Sequence, residues 1–213
     1  MRTRFDRQVQ TLNRELMAMG TLCEKAIGTS ARALLEGSLP LAESVPEIAA
    51  QIEEKEREIE RLCLKLLLQQ QPVARDLRAI SSALKMITDM ERIGHQSADI
   101  AEIITTANIS ASNETLNISA MADATIQMVV DSINAFVHKD VAIARNVVKN
   151  DDVVDGYFDE IKLALIRRLS EQPGDSEYAI DLMMISKYFE RIGDHAVNIA
   201  QWVQFSITGS KGG

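Results

Sequence analysis

One short segment occurs twice in this chain, and it restricts the fold more than any other feature of the sequence. The first copy, ERIGHQSADIA, runs from Glu91 to Ala101, and the second, ERIGDHAVNIA, runs from Glu190 to Ala200, a displacement of 190 − 91 = 99 residues. A repeat of this kind indicates that one supersecondary unit is built twice and that the two units pack together. We therefore expect two similar halves.

The sequence around the repeat favours helices nearly everywhere. Only 4 Pro and 10 Gly interrupt a chain of 213 residues, and apolar residues recur at spacings of three and four instead of alternating. These patterns predict an all-α protein. Breaker clusters such as EGSLP, VHKD and QPGDS divide it into six helices, which we place at about 4–36, 42–71, 73–107, 117–138, 140–172 and 176–207.

Six helices and one repeat predict two tandem three-helix bundles, at residues 1–108 and 109–213, related by a pseudo-twofold internal repeat. In each bundle the third helix carries the repeated segment. The Ser-, Thr- and Asn-rich stretch TTANISASNETLNIS lies between the third and fourth helices and is expected to form a linker or an exposed loop. A weaker likeness between the second and fifth helices places Glu53 on Asp155.

Composition and hydropathy exclude some classes of protein. The formal net charge is −8 at pH 7, and because nucleic-acid binding relies on clustered Lys and Arg, we expect no direct DNA or RNA partner. The chain has no run of about 18 uncharged apolar residues, and its N-terminal MRTRFDRQVQTLN lacks the apolar region of a signal peptide. We therefore expect a cytoplasmic protein that does not insert into a membrane. Cys23 and Cys63 lie in amphipathic helical patterns, which predicts buried thiols and not a disulfide or a metal pair.

The repeated segment places acidic side chains along one side of its helix. In the second copy Glu190, Asp194 and Asn198 are one turn apart and form a stripe opposite the apolar side. Like charges one turn apart destabilise a helix by roughly a few tenths of a kcal/mol, so a repeated acidic stripe needs a compensating cation. For a single acidic pair, a solvated outer face is the ordinary alternative.

Two comparable stripes occur elsewhere. The first copy of the repeat contains Glu91, His95 and Asp99, and the fifth helix contains Asp151 and Asp155. The acidic pairs of the fifth and sixth helices converge if these helices are adjacent and antiparallel. Four carboxylates on one patch suit hard cations such as Fe³⁺, Mn²⁺ or Mg²⁺, and Zn²⁺ where His95 supplies nitrogen.

The positions of the histidines do not favour a redox enzyme. Carboxylate-bridged di-iron proteins on four-helix bundles have Glu-x-x-His pairs, whereas here His95 follows Glu91 by four positions and His195 follows Glu190 by five. His195 projects off the acidic stripe, so we predict a hydrogen-bonding role for it and not metal ligation.

The combined motifs resemble the PhoU family of phosphate-transport regulators. The doubled ERIG[DH] helix, LLLQQQPVARDLR from Leu66 to Arg78 and DLMMISKYFERIGDHAVNIA from Asp181 to Ala200 carry the resemblance, which spans essentially the whole chain. It implies two three-helix bundles, surface metal clusters on E/DxxxD motifs, a homodimer and no catalytic activity. It also implies a negative regulator that links the ATPase subunit of the phosphate ABC transporter to a sensor histidine kinase.

The resemblance also implies which residues bind metal. By position, the family's metal-binding acids fall on Asp151, Asp155, Glu190 and Asp194 in the second half, and on Glu53, Glu91 and Asp99 in the first half. The first half departs from the family pattern at His95 and Ala49, where acids are common. We expect Fe, Zn, Mn or Mg, and a stronger site in the second half.

Three classes of function stay open: a metal-binding regulatory adaptor, a carboxylate-bridged metalloenzyme, and a purely structural helical scaffold. The first is favoured because the sequence has no nucleophile motif, no Gly-rich phosphate loop and no basic patch. The segment PVARDLR predicts a helix start at Pro72. Its charged residues Arg75, Asp76 and Arg78 fit either local capping and ion pairs or an interaction surface.

Overall fold

A computed structural model describes residues 2–70, 73–111 and 116–210 of the protein. This part of the chain contains no strand, which confirms the predicted all-α class. A short 3₁₀ helix, Pro173–Asp175, precedes the last helix. The six α-helices are α1 (Arg2–Glu36), α2 (Leu39–Gln70), α3 (Ala74–Ala107), α4 (Ile118–His138), α5 (Val141–Glu171) and α6 (Ser176–Thr208).

A side-chain cap marks the start of α5. At the start of α5, the side chain of Asp140 accepts hydrogen bonds from the backbone N–H groups of Ala142 and Ile143, at 2.8 and 3.1 Å. The predicted start of α2 at residue 42 was wrong, because α2 begins at Leu39. Pro40 occupies its second position, where a missing N–H costs no intrahelical hydrogen bond.

The three helices of each half pack against one another, and the halves then join through two further contacts, α3 against α6 and α1 against α4. All of these interfaces contribute to one apolar core. The structure therefore contains two three-helix bundles that share their interior. The division at residues 108 and 109 stays a prediction, because no separate core marks it.

The turns that connect the first two helices of each half show the internal repeat in atomic detail. Ser38 N donates to Ala33 O at 2.9 Å, and Asp140 N donates to Ala135 O at 2.9 Å. The two hydrogen bonds join equivalent atoms at a displacement of 140 − 38 = 102 residues. The first two helices of one half therefore align with those of the other half at a displacement of 102 residues. The third helices align at a displacement of 99 residues.

Two glycines set how closely the second helix of each half approaches the third. A Cβ at Gly94 would lie 3.0 Å from Ile52 Cδ1, and a Cβ at Gly193 would lie 3.5 Å from Val154 Cγ1. Ile52 and Val154 are 154 − 52 = 102 residues apart, so the contacts are equivalent. The same displacement of 102 residues makes Glu53 equivalent to Asp155, as predicted from the sequence.

A membrane-crossing helix is not found among the described residues, because none of the six helices is both long and apolar enough.

We predict that Ile52→Ala lowers the free energy of unfolding by about 2–5 kcal/mol, because it leaves a cavity against Gly94 in a fully buried site. Ile52 is 0% exposed, whereas Leu68 on the same helix is 83% exposed. The matched control Leu68→Ala should change stability by less than about 0.5 kcal/mol. Guanidinium denaturation followed by circular dichroism measures both, and equal losses would contradict the burial of Ile52 against Gly94.

Candidate functional site

The acidic stripes of α5 and α6 face each other in the second half. Asp151 and Asp155 lie one turn apart on α5, and Glu190 and Asp194 lie one turn apart on α6. The absence of a side chain at Gly193 lets α5 approach, and Asp151 Oδ1 lies 3.5 Å from where a Cβ would stand. The four predicted second-half residues are therefore brought together, and we call them the acidic patch.

Burial and the charges of neighbouring acids raise the pKa values of three residues of the acidic patch, Asp151, Asp155 and Asp194. Burial and then the charges of Asp155 and Asp194 raise the pKa of Asp151 to about 6. The pKa of Asp155 is raised by burial and then by Glu190 and Asp194. Burial and Glu190 also raise the pKa of Asp194. Such shifts show that the carboxylates interact unfavourably when all are ionised.

Lys187 is the cation that the sequence reasoning missed. Its ammonium group contacts the Glu190 carboxylate and lies 5.2 Å from the centroid of the Phe158 ring. Lys187 also acts to lower the pKa values of Asp155 and Asp194. The i, i+3 spacing of Lys187 and Glu190 was the available signal, since such pairs meet on a helix surface. One ammonium offsets only part of the patch's charge.

The acidic patch fits a hard cation in donor type but is not arranged around one. Four carboxylates supply oxygen ligands of the kind that Mg²⁺, Mn²⁺ and Fe³⁺ prefer. Within the described residues, however, no three His, Cys, Asp or Glu side chains are already gathered as a metal-binding group. A bound cation would require side-chain rotation and release of Glu190 from Lys187.

In the first half, a hydrogen bond is formed at the position where two acids repel each other in the second half. His95 occupies the position equivalent to Asp194, and its Nε2 donates to Glu53 Oε1 at 3.0 Å. Glu91 lies close enough to raise the pKa of Glu56, after the larger effects of burial and Glu60. Glu56 was missed by the sequence reasoning because its counterpart in the second half is the aromatic Phe158 (158 − 56 = 102).

Asp99 lies at the interface between the halves. Burial and then Glu102 raise the pKa of Asp99, while His95, Arg191 and Tyr188 of α6 have smaller effects that lower it. The structure thus places this candidate ligand near Tyr188 and Arg191 of α6 as well as near His95. The counterpart of Asp99 is Asn198 (198 − 99 = 99), which is likewise at this interface.

The equivalent contact on the other side of the interface contains the second histidine. His195 Nδ1 donates to Asp89 Oδ1 at 2.9 Å, and Asn198 Nδ2 donates to the same oxygen at 3.3 Å. The hydrogen-bonding role predicted for His195 is confirmed. The sequence did not indicate Asp89 as its partner, because the two residues lie on different helices.

The charged residues of PVARDLR do not form the expected local contacts. Pro72 is outside the described residues, and α3 begins at Ala74 after an N-cap, Val73, that makes no side-chain capping bond. In the described part of the chain, no ion pair holds Arg75 or Asp76. These residues line a cavity instead.

Comparison with known proteins identifies both halves. A sequence profile of the PhoU domain matches residues 16–104 and 118–203. A relative from Clostridium acetobutylicum, named phosphate-specific transport system accessory protein PhoU homolog, is 32% identical over 209 residues, which cover 97% of this chain and 95% of the relative. These matches follow the repeat inferred from the sequence.

Solved structures agree with the fold. The crystal structure of PhoU from Pseudomonas aeruginosa is 30% identical with a TM-score of 0.87 and covers 97% of this chain and 100% of that chain. The phosphate transport system regulatory protein PhoU from Streptococcus pneumoniae, at 22% identity, has the same fold with a TM-score of 0.87, covering 98% and 99%. The relative from Clostridium acetobutylicum is named as an accessory protein of a transport system and not as an enzyme, in agreement with the predicted absence of catalytic activity.

We predict that Asp151→Asn raises the melting temperature at about pH 7.5 and changes it little near pH 4. The pKa of Asp151 in the folded protein, about 6, exceeds the ordinary value of 3.8, so protonation of this carboxyl group favours the folded state. This stabilisation is fully present below about pH 4. That stability is lost as the pH rises through about 6. Asparagine cannot ionise and removes this loss.

Scanning calorimetry in the presence of a chelator measures the effect. The control Asp123→Asn changes an exposed acid on α4, outside the acidic patch, and should not produce the same pH-dependent gain. A gain at pH 4 equal to that at pH 7.5 would contradict the electrostatic origin.

Proposed function

The chain belongs to the PhoU family, and on that premise we propose that it is a negative regulator of phosphate uptake and of phosphate-starvation signalling. In this proposal it acts in the cytoplasm as a homodimeric adaptor between the ATPase subunit of a phosphate ABC transporter and a sensor histidine kinase. The chain itself carries out no reaction. Its contribution is to bind, in one arrangement, partners that would otherwise act separately.

The observation that carries this proposal is the match of both halves to the PhoU domain. The profile covers residues 16–104 and 118–203, so both bundles and their shared core are accounted for. The relative from Clostridium acetobutylicum is named as an accessory protein of a phosphate-specific transport system and matches nearly end to end. A whole-length match supports transfer of a role that depends on the complete surface.

We further propose that the acidic patch binds a hard metal cation, Fe, Mn, Mg or Zn, and that the metal is part of the adaptor's surface. A bound cation would supply positive charge and oxygen coordination. The repulsion that raises the pKa values of Asp151, Asp155 and Asp194 supports this proposal, because a cation favours the ionised carboxylates. Neutralising them would also stabilise the packing of α5 on α6.

We predict that deleting the gene leaves phosphate-starvation genes expressed in phosphate-rich medium, because the inhibitory link between transporter and kinase is lost. Reintroducing the wild-type chain should restore repression. A reporter fused to a starvation-induced promoter measures the effect. Normal repression in a deletion strain that has no second family member would exclude the regulatory role.

We predict that Glu190→Gln with Asp194→Asn removes most bound metal, whereas Glu91→Gln with His95→Asn removes less. Loss of two carboxylates leaves a cation in the acidic patch under-coordinated, while the first half already pairs His95 with Glu53. Elemental analysis of protein reconstituted with each metal gives the metal-to-protein ratio.

The control for this experiment is Glu24→Gln with Asp123→Asn, which removes two exposed acids outside both clusters. Equal losses in the two test variants, or a loss only in the first-half variant, would contradict the asymmetry. A wild-type protein that takes up no metal would show that the acidic patch is a solvated surface.

A further inference from the structure

Lys187 bridges the two helices that carry the acidic patch. It lies on α6, where its ammonium group contacts the Glu190 carboxylate. The same ammonium group lies 5.2 Å from the centroid of the Phe158 ring on α5, a separation at which a cation is attracted to an aromatic face. The Lys187 side chain is 39% exposed and the Glu190 side chain 17%. The ammonium group can therefore move into water while the carboxylate stays largely covered.

The charge of Lys187 also acts on the acids beyond Glu190. Burial and then Glu190 raise the pKa values of Asp155 and Asp194, whereas Lys187 acts to lower both. For Asp194, the effect of Lys187 is larger than those of the other cations nearby. One ammonium group therefore contacts one acid of the patch and attracts two more, from both helices.

The first half has neither part of this arrangement. The counterpart of Lys187 is Thr88 (187 − 99 = 88), and the counterpart of Phe158 is Glu56 (158 − 102 = 56). The Thr88 hydroxyl donates to a backbone carbonyl of its own helix at 3.3 Å. The lysine and the aromatic ring thus occur together in the half that has four carboxylates, and both are replaced in the half where a histidine is hydrogen-bonded to an acid.

A second lysine lies at the same ring but contacts an acid outside the patch. Lys162 Nζ lies 5.5 Å from the centroid of Phe158 and donates to Asp159 Oδ1 at 2.6 Å. Lys162 and Lys187 therefore share an aromatic neighbour and differ in the acid that they contact. This difference makes Lys162 a matched control for the role of Lys187.

We propose that Lys187 is a built-in counter-cation of the acidic patch, and that a metal cation with two or more charges binds there by displacing its ammonium group from Glu190. This inference rests on the metal binding proposed above. A metal ion and an ammonium group at one carboxylate repel each other, so they cannot both stay. Because Lys187 is tethered beside the site, its ammonium group has a high effective concentration there. A monovalent ion adds no charge by replacing it, whereas a divalent ion adds one. Lys187 therefore lowers the affinity for every cation and selects against monovalent ones.

The variant Lys187→Met tests the exchange, because methionine keeps an unbranched side chain and removes the charge. In metal-free protein at about pH 7.5, with a chelator present, we expect its melting temperature to fall by about 2–4 °C, since Glu190 loses its cation. After removal of the chelator, titration with Mn²⁺ is followed by the electron paramagnetic resonance signal of the free ion. Lys187→Met should bind Mn²⁺ about tenfold more tightly than the wild type, because no ammonium group competes for Glu190.

The control Lys162→Met removes the other lysine at the Phe158 ring and should bind Mn²⁺ as the wild type does. The proposal is overturned if Lys187→Met leaves the metal-free melting temperature unchanged, or if Lys162→Met tightens Mn²⁺ binding as much as Lys187→Met. Equal Mn²⁺ affinity of Lys187→Met and the wild type would reject the role of Lys187 and leave the metal site in place. Binding of Mn²⁺ by neither protein would reject the metal site itself, and the exchange with it.

Discussion

The antiparallel packing of α3 against α6 is the contact on which the rest of the molecule depends. Each of these helices packs in its own bundle and also against the other half, so apolar residues must lie on two sides of the helix. Charged and polar residues also meet across this interface, where Asp89 accepts hydrogen bonds from His195 and Asn198 and Asp99 lies close enough to Tyr188 for each to shift the pKa of the other. The acidic stripes can point only toward the second helix of each half, which explains why both charged clusters lie between the second and third helices.

The two halves share one backbone arrangement but differ in how the negative charge between their second and third helices is compensated. In the first half the pair Glu53 and His95 joins donor and acceptor at 3.0 Å. The equivalent pair in the second half, Asp155 and Asp194, joins two acids whose pKa values are both raised by burial and by neighbouring acids. A hydrogen bond completes the first cluster within the chain, whereas in the second Lys187 contacts Glu190 and His195 and Arg191 act more weakly on Asp194. The repulsion that these cations leave is relieved by protonation of Asp151, whose pKa is raised to about 6, or by ions from solvent.

Most of the fold could be predicted from the sequence, because helix periodicity and breakers are local signals and the repeat relates the two halves directly. The alignment of Glu53 with Asp155 followed from the likeness between the halves, and the convergence of the second-half acids followed from adjacent, antiparallel packing of the fifth and sixth helices. The contacts of Lys187, Glu56 and Asp89 could not be predicted. Each depends on the rotation and lateral offset of two packed helices, and periodicity within one helix does not determine these quantities. For the same reason the hydrogen-bonding role of His195 was predictable, but its partner was not.

Comparison of equivalent positions in the two halves also shows which residues the fold requires and which it only tolerates. Gly94 and Gly193 meet Ile52 and Val154 in equivalent contacts, because a side chain at either glycine would push the second and third helices of that half apart. At the positions of His95 and Asp194 the same backbone accepts a hydrogen-bonding imidazole or an ionised acid, so packing does not dictate the choice. Since the fold is complete with either residue at this position, packing does not explain why the first half has a histidine and the second an acid.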